Sequence, residues 1–187
     1  MKTCALLVAV LATHPAQART IRIVAFGDSA TAGWLVPRAQ AYPAQLQAAL
    51  RKRGYDAVVK NAGINGGTLA MALKVFDRAI EPGTDVAIVE FGTNDLRRGA
   101  LLQYVRERLN ELVRALRMRH IDVLVIGLGR LDLSDVARAN SLPYAQWTLP
   151  PGKYRARDGA HFNGEGYAIL VDRMLAQVEA LIARRKP

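Results

Sequence analysis

Apolar residues in this chain fall into short, nearly continuous runs, separated by stretches in which they recur every three or four positions. Three runs, Ile21 to Phe26, Asp85 to Phe91 and Ile121 to Leu128, predict buried strands. Tyr55 to Val59 predicts a shorter strand, and Leu142 to Trp147 a short edge strand. Between the runs the helical period takes over. Tyr42-Pro43 opens a helix with proline at its first position, Leu46 and Leu50 supply an apolar face, and Gly54 stops it. Leu69 to Ile80 predicts a second helix, closed by Glu81-Pro82-Gly83. The clearest amphipathic stretch carries Leu101, Val105, Leu109, Leu112 and Leu116 on one stripe, with charges opposite. Ser134 to Asn140 predicts a short helix. The last helix has Asn163 as N-cap, Glu165 in its first turn, and Tyr167, Val171, Met174, Val178 and Leu181 as its face.

Buried strands alternating with helices imply an α/β fold, a parallel sheet with helices on both sides. Working sites in such sheets lie beyond the carboxyl ends of the strands. Ser29, the loop around Gly66, and Asn94 all follow predicted strands and so share that edge. The chain returns Asp158 and His161 late, where they reach the same place.

That edge has a consistent chemistry. Ser29 follows the first strand between Gly27 and Gly33, on a tight strand-to-helix turn that exposes its hydroxyl. A serine needs a base to take its proton. Beyond residue 18 the chain holds only His120 and His161. His120 sits where a helix hands over to a strand, beside Asp122, and suits a surface or capping role. His161 lies three residues after Asp158, a spacing that sets the carboxylate against Nδ1 and leaves Nε2 for Ser29. Donors for an oxyanion are at hand in the N–H groups of Ser29 and Gly66 and the amide of Asn94. Asn94 and Asp95 are also suited to capping the next helix, and Asp28 and Asp95 to bonding nearby loop backbone. Trp34, Leu35 and Leu96 are candidates for the substrate pocket wall, with core packing the competing role, and Trp147 is a further candidate for substrate binding. Two separated histidines without a further cysteine offer no metal-ligand spacing, and no metal or cofactor is expected.

Composition adds a compartment and a charge. Met1-Lys2, the apolar Thr3 to Ala12 and the end Ala16-Gln17-Ala18 describe a secretory signal peptide, residues 1–18, cleaved after Ala18. The apolar stretch is shorter than the roughly 20 residues a membrane span requires. Removing 18 of 187 residues leaves 169, residues 19–187, a size for one domain. The only cysteine, Cys4, leaves with the signal, so the expected destination is periplasmic or secreted without disulfides. Losing Lys2 lowers the formal charge from +10 to +9. Arginines dominate the basic residues and are dispersed. They read either as solvated helix faces or as attraction to anionic lipid, cell-wall polymer or acidic substrates. Nucleic acid is disfavoured, because the chain has no recognised binding motif and no basic-aromatic alternation.

Four stretches in order carry a family likeness: Gly27-Asp28-Ser29, Gly66 in its Asn-Ala-containing loop, Gly92-x-Asn94-Asp95, and Asp158-x-x-His161. The chain after residue 18 resembles the SGNH (GDSL) hydrolase superfamily over essentially its whole length, and in particular bacterial exported thioesterase/arylesterase/lysophospholipase enzymes. The resemblance implies a three-layer α/β/α flavodoxin-like fold with a mostly parallel sheet of four to five strands. It also implies cofactor-free hydrolysis of small acyl esters or thioesters. Ser29 would be the nucleophile, His161 the base and Asp158 its orienting acid, with Ser29, Gly66 and Asn94 forming the oxyanion hole. Two features depart from the family pattern. Gly67 stands where relatives often carry an acid. Only 29 residues separate Leu128 from Asp158, fewer than expected for a helix and a fifth strand. Trp147, Pro150-Pro151, Lys153, Arg155 and Arg157 in that segment form either a distinct rim or a plain basic loop. Polysaccharide or cell-wall O-deacetylation is the alternative within the hydrolase class. A non-catalytic basic envelope protein that binds anionic polymers is the alternative outside it.

Overall fold

The computed structural model describes residues 19–148 and 151–185. The segment read as a signal peptide, Cys4 within it, and Pro150 lie outside the described residues. Five parallel strands form one sheet: β1 (Ile21–Gly27), β2 (Ala57–Asn61), β3 (Val86–Glu90), β4 (Asp122–Leu128) and β5 (Tyr144–Trp147). Their spatial order is β2-β1-β3-β4-β5, the flavodoxin-like order, with a switch point where the chain leaves β1 and β3. Register places Gly27 beside Glu90, so the ends of β1 and β3 emerge together.

Alternation along β1 assigns the layers. Ile23 and Ala25 face α2 (Tyr42–Lys52) and α8 (Gly164–Ala183), packing with Leu46, Leu50, Tyr167, Leu170, Met174 and Val178. Val24 and Phe26 face the opposite layer, built from α3 (Leu69–Lys74) and α6 (Leu102–Met118) through Leu69, Leu109, Leu112 and Leu116. Each such side chain contributes about 1.5–3 kcal/mol on burial, so both faces of the sheet are firmly covered. The remaining helices are short: α1 (Ser29–Ala32), α4 (Phe76–Ala79), α5 (Thr93–Arg97) and α7 (Ser134–Ala139).

Three expectations need adjustment. β2 begins at Ala57, because its register against β1 pairs Ala57 with Ile21 and leaves Tyr55 and Asp56 in the approach. The helix expected over Leu69 to Ile80 is two helices, α3 and α4, meeting at Val75. Leu101 precedes α6 and is 76 % exposed, so the buried stripe starts at Val105. The short segment between Leu128 and Asp158 nevertheless accommodates α7, of 6 residues, and β5, of 4 residues.

Candidate active site

The strand-to-helix turn after β1 is braced by three side chains. Asp28 caps α1, its Oδ1 accepting from the Ala30 N–H at 2.8 Å. Tyr167 of α8 donates its hydroxyl to the Ala30 carbonyl at 2.8 Å. Asn61, closing β2, donates to the Ala32 carbonyl at 3.2 Å and accepts from the Gly63 N–H at 2.9 Å. Gly63 itself lies so near the Ala32 backbone that any Cβ there would collide with it, which explains glycine at this position. Ser29 is thereby held as the first residue of α1, partly exposed, with its N–H among those a helix leaves unbonded.

His161 reaches this hydroxyl from the far end of the chain. Ser29 Oγ and His161 Nε2 are 2.9 Å apart, and His161 Nδ1 lies 2.6 Å from Asp158 Oδ2. The other oxygen, Asp158 Oδ1, accepts from the N–H groups of Ala160 and His161, each at 3.0 Å. The backbone and side-chain hydrogen bonds from His161 hold the Asp158 carboxyl down at about 2. An ionised carboxylate accepts only, so Nδ1 must carry the hydrogen, and Nε2 then presents its lone pair to the serine.

Of the two further donors read from the sequence, Asn94 lines the same cavity as Ser29 and His161, whereas Gly66 is not among its lining residues. Gly66 has a left-handed backbone, φ +67°, which glycine adopts without strain, and its carbonyl accepts from Arg98 Nη2 at 3.0 Å. Asn94 Nδ2 donates to Asp28 Oδ2 at 2.9 Å and to the Gly67 carbonyl at 3.1 Å. Both amide hydrogens are thus engaged, and an oxyanion beside the Ser29 N–H would compete with the Gly67 carbonyl for the second. Gly67 leaves little room for a side chain, because a Cβ would press on the Ile64 carbonyl at 2.8 Å. Asp95 points away and accepts from the Leu69 N–H with both oxygens.

Sequence reasoning overlooked Glu90. It ends β3, is 1 % exposed, and its Oε2 accepts from the Thr31 hydroxyl at 3.1 Å and the Asp28 N–H at 3.2 Å. Burial beside the Asp28 carboxyl pushes its pKa well up. Asp28 already accepts from Ala30 and Asn94 and is the better-stabilised anion, so Glu90 is the partner that keeps the proton. The available signal was a carboxylate at the end of an otherwise apolar run, two residues from the Gly92 motif.

Ser29, Asn94 and His161 line one cavity of about 320 Å³, together with Leu128 and Phe162. A larger cavity of about 530 Å³, near Gln40, Gln45 and Asn163, contains neither serine nor histidine. Trp34, Leu35 and Leu96 do not line the cavity at Ser29; Trp34 and Leu96 are exposed on the surface. Trp147 corrects the substrate-binding expectation outright. It is fully buried, edge-on to Tyr42 at 4.9 Å and to Phe162 at 6.3 Å, because as the last residue of β5 it faces α8. It belongs to the core.

A serine, a histidine and an aspartate in hydrogen-bonded series, at the carboxyl edge of a five-stranded parallel sheet between two helical layers, define the class of this molecule. Residues 25–149 match the model of the GDSL-like lipase/acylhydrolase family, and the chain belongs to that family. It is 32 % identical over 120 residues to Esterase TesA of Pseudomonas aeruginosa, covering 64 % of this chain and 59 % of that protein. It is 29 % identical over 93 residues to an arylesterase of Vibrio mimicus, covering 49 % of this chain and 46 % of that one. The matches therefore span about half to three fifths of those relatives. Among solved structures it is similar to AlinE4, an SGNH-hydrolase family esterase, with TM-score 0.68 and 26 % identity over 92 % of this chain and 100 % of that one.

Proposed function

We propose that this protein hydrolyses carboxylic esters and thioesters through an acyl-enzyme on Ser29. The observation that carries the reading is the continuous series from Ser29 Oγ through His161 to Asp158, at 2.9 and 2.6 Å. His161 Nε2 takes the serine proton as Oγ attacks the acyl carbon, and Asp158 stabilises the imidazolium. The N–H groups of Ser29 and Gly66 and the Asn94 amide donate to the oxyanion. His161 returns the proton to the departing alcohol or thiol. Water, deprotonated by the same imidazole, then releases the acid and restores Ser29. The names of the relatives, esterase and arylesterase, support this chemistry.

Lysophospholipids belong to the proposed substrate range as simple acyl esters. Residues 1–18 are proposed to direct export to the periplasm or the medium, where the basic surface allows peripheral contact with anionic lipid or cell-wall polymer. N-terminal sequencing of the exported protein should begin at Arg19.

The function is tested with p-nitrophenyl esters from acetyl to octanoyl and matching thioesters, with Ser29→Ala alongside. Turnover should fall at least about 10³-fold in Ser29→Ala, and a fluorophosphonate should label only the wild type. A rate confined to acetyl esters would indicate a deacetylase. Absence of turnover and labelling would leave a binding protein.

A further inference from the structure

Three arginines converge on the cavity that holds Ser29. Arg97 comes from α5, Arg130 follows β4, and Arg155 precedes Asp158 in the loop that delivers His161. They come from three segments far apart in the chain, so their meeting is a product of the fold. Some arginines of the chain are tied to a carboxylate, as Arg53 is to Glu179, Arg106 to Asp135 and Arg185 to Asp122. Among the described residues Arg97 and Arg130 make no ion pair. Arg155 is steadied by donating Nη1 to the Gly159 carbonyl at 2.8 Å. The carboxylate lining the same cavity, Asp28, is 2 % exposed and takes its hydrogen bonds from Ala30 and Asn94; Arg97 acts on it only through its field, without an ion pair.

A guanidinium offers a planar fork of donors that matches a carboxylate or phosphate. A cleft lined by one sign of charge also concentrates ligands of the opposite sign. The cavity is small, about 320 Å³, so a charged group on a compact substrate falls within reach of its walls. We propose that the ester cleaved at Ser29 carries an anionic group, a carboxylate or a phosphate, bound by Arg97 and Arg130 with Arg155 adding to the field. This specificity rests on the hydrolase reading given above.

The test compares three butyrate esters: 4-butyryloxybenzoate, 4-butyryloxyphenyl phosphate, and the neutral methyl 4-butyryloxybenzoate. The quantity read is the ratio of kcat/KM for each anionic ester to that for the neutral one. Comparing this ratio between wild type and variants cancels differences in intrinsic reactivity. In Arg97→Gln/Arg130→Gln the ratio should fall about tenfold for at least one anion, equivalent to about 1.4 kcal/mol. The lysine pair at the same positions should recover part of it. Arg114→Gln/Arg184→Gln removes the same net charge from distant exposed positions and should leave the ratio at the wild-type value. The ester that responds tells whether carboxylate or phosphate is preferred. A ratio unmoved in Arg97→Gln/Arg130→Gln, or moved equally by the distant pair, overturns the assignment while neutral-ester turnover keeps the hydrolase reading intact. Loss of all turnover in the wild type would bring down both.

Discussion

Asn94 Nδ2 donates to Asp28 Oδ2 at 2.9 Å, joining the start of α5 to the residue immediately before Ser29. The same carboxylate caps α1 through Ala30, so one side chain sets both the serine turn and the amide that faces it. Asp28 is therefore a positioning residue whose two oxygens have separable duties.

Replacing Asp28 with alanine removes both duties. Stability should drop about 0.5–2 kcal/mol from the lost cap. kcat should fall on the order of 10²-fold, more than KM rises, as for a misplaced oxyanion donor. Asparagine retains a cap acceptor but turns a donor toward Asn94. It should restore denaturant stability and leave kcat low. Equal recovery of both would assign Asp28 to the fold alone.

Glu90 makes stability depend on pH. Its pKa in the fold lies well above the ordinary glutamate value, because it is buried against Asp28. The fold thus favours the protonated form. The associated stability is complete below the unfolded-state pKa and is lost as pH climbs through the folded one. Wild-type Tm should decline as pH rises above the ordinary glutamate range, and the decline should be shallower in Glu90→Gln, which has no proton to release. Parallel curves for the two proteins would remove Glu90 from this role.

Asp158 works in the opposite direction. Held at about 2 by its bonds from His161, it stays ionised throughout the ordinary assay range. Its contribution to the fold is present above the unfolded aspartate value and is lost only as pH falls toward about 2. The acid limb of kcat/KM should therefore show a single proton uptake above about pH 3. A second-order limb there would contradict the ionised assignment. Asp158→Asn should lower kcat by about 10²–10⁴-fold by presenting Nδ1 with the wrong partner.

Trp147 distinguishes a core role from a pocket role. Trp147→Ala should cost about 3–5 kcal/mol in denaturant unfolding. The relative preference among acyl chain lengths should remain that of the wild type. A changed chain-length profile at unchanged stability would return Trp147 to substrate binding.

Much of the architecture was legible because buried parallel strands are apolar on both faces and need no partner to be recognised. Ser29, Asp158 and His161 stood out because their residue types and local spacings already constrain hydroxyl, imidazole and carboxylate chemistry. Trp147 was misplaced because alternation along a short strand does not say which layer a side chain enters. Glu90 escaped because it ends an apolar run, and its partners, Thr31 and Asp28, lie about sixty residues earlier in the chain. The break at Val75 left no mark in a pattern that stays helical across it.

The sequence by itself determined the alternation of strands and helices and the candidate catalytic residues, since period and local spacing are properties of neighbours along the chain. Tertiary structure alone decided that Asn94 spends its amide on Asp28, that Glu90 stands behind the serine turn, and that Arg97, Arg130 and Arg155 share one cavity. Those relations depend on which strand lies beside which, and parallel pairing sets that through contacts between segments far apart in the chain.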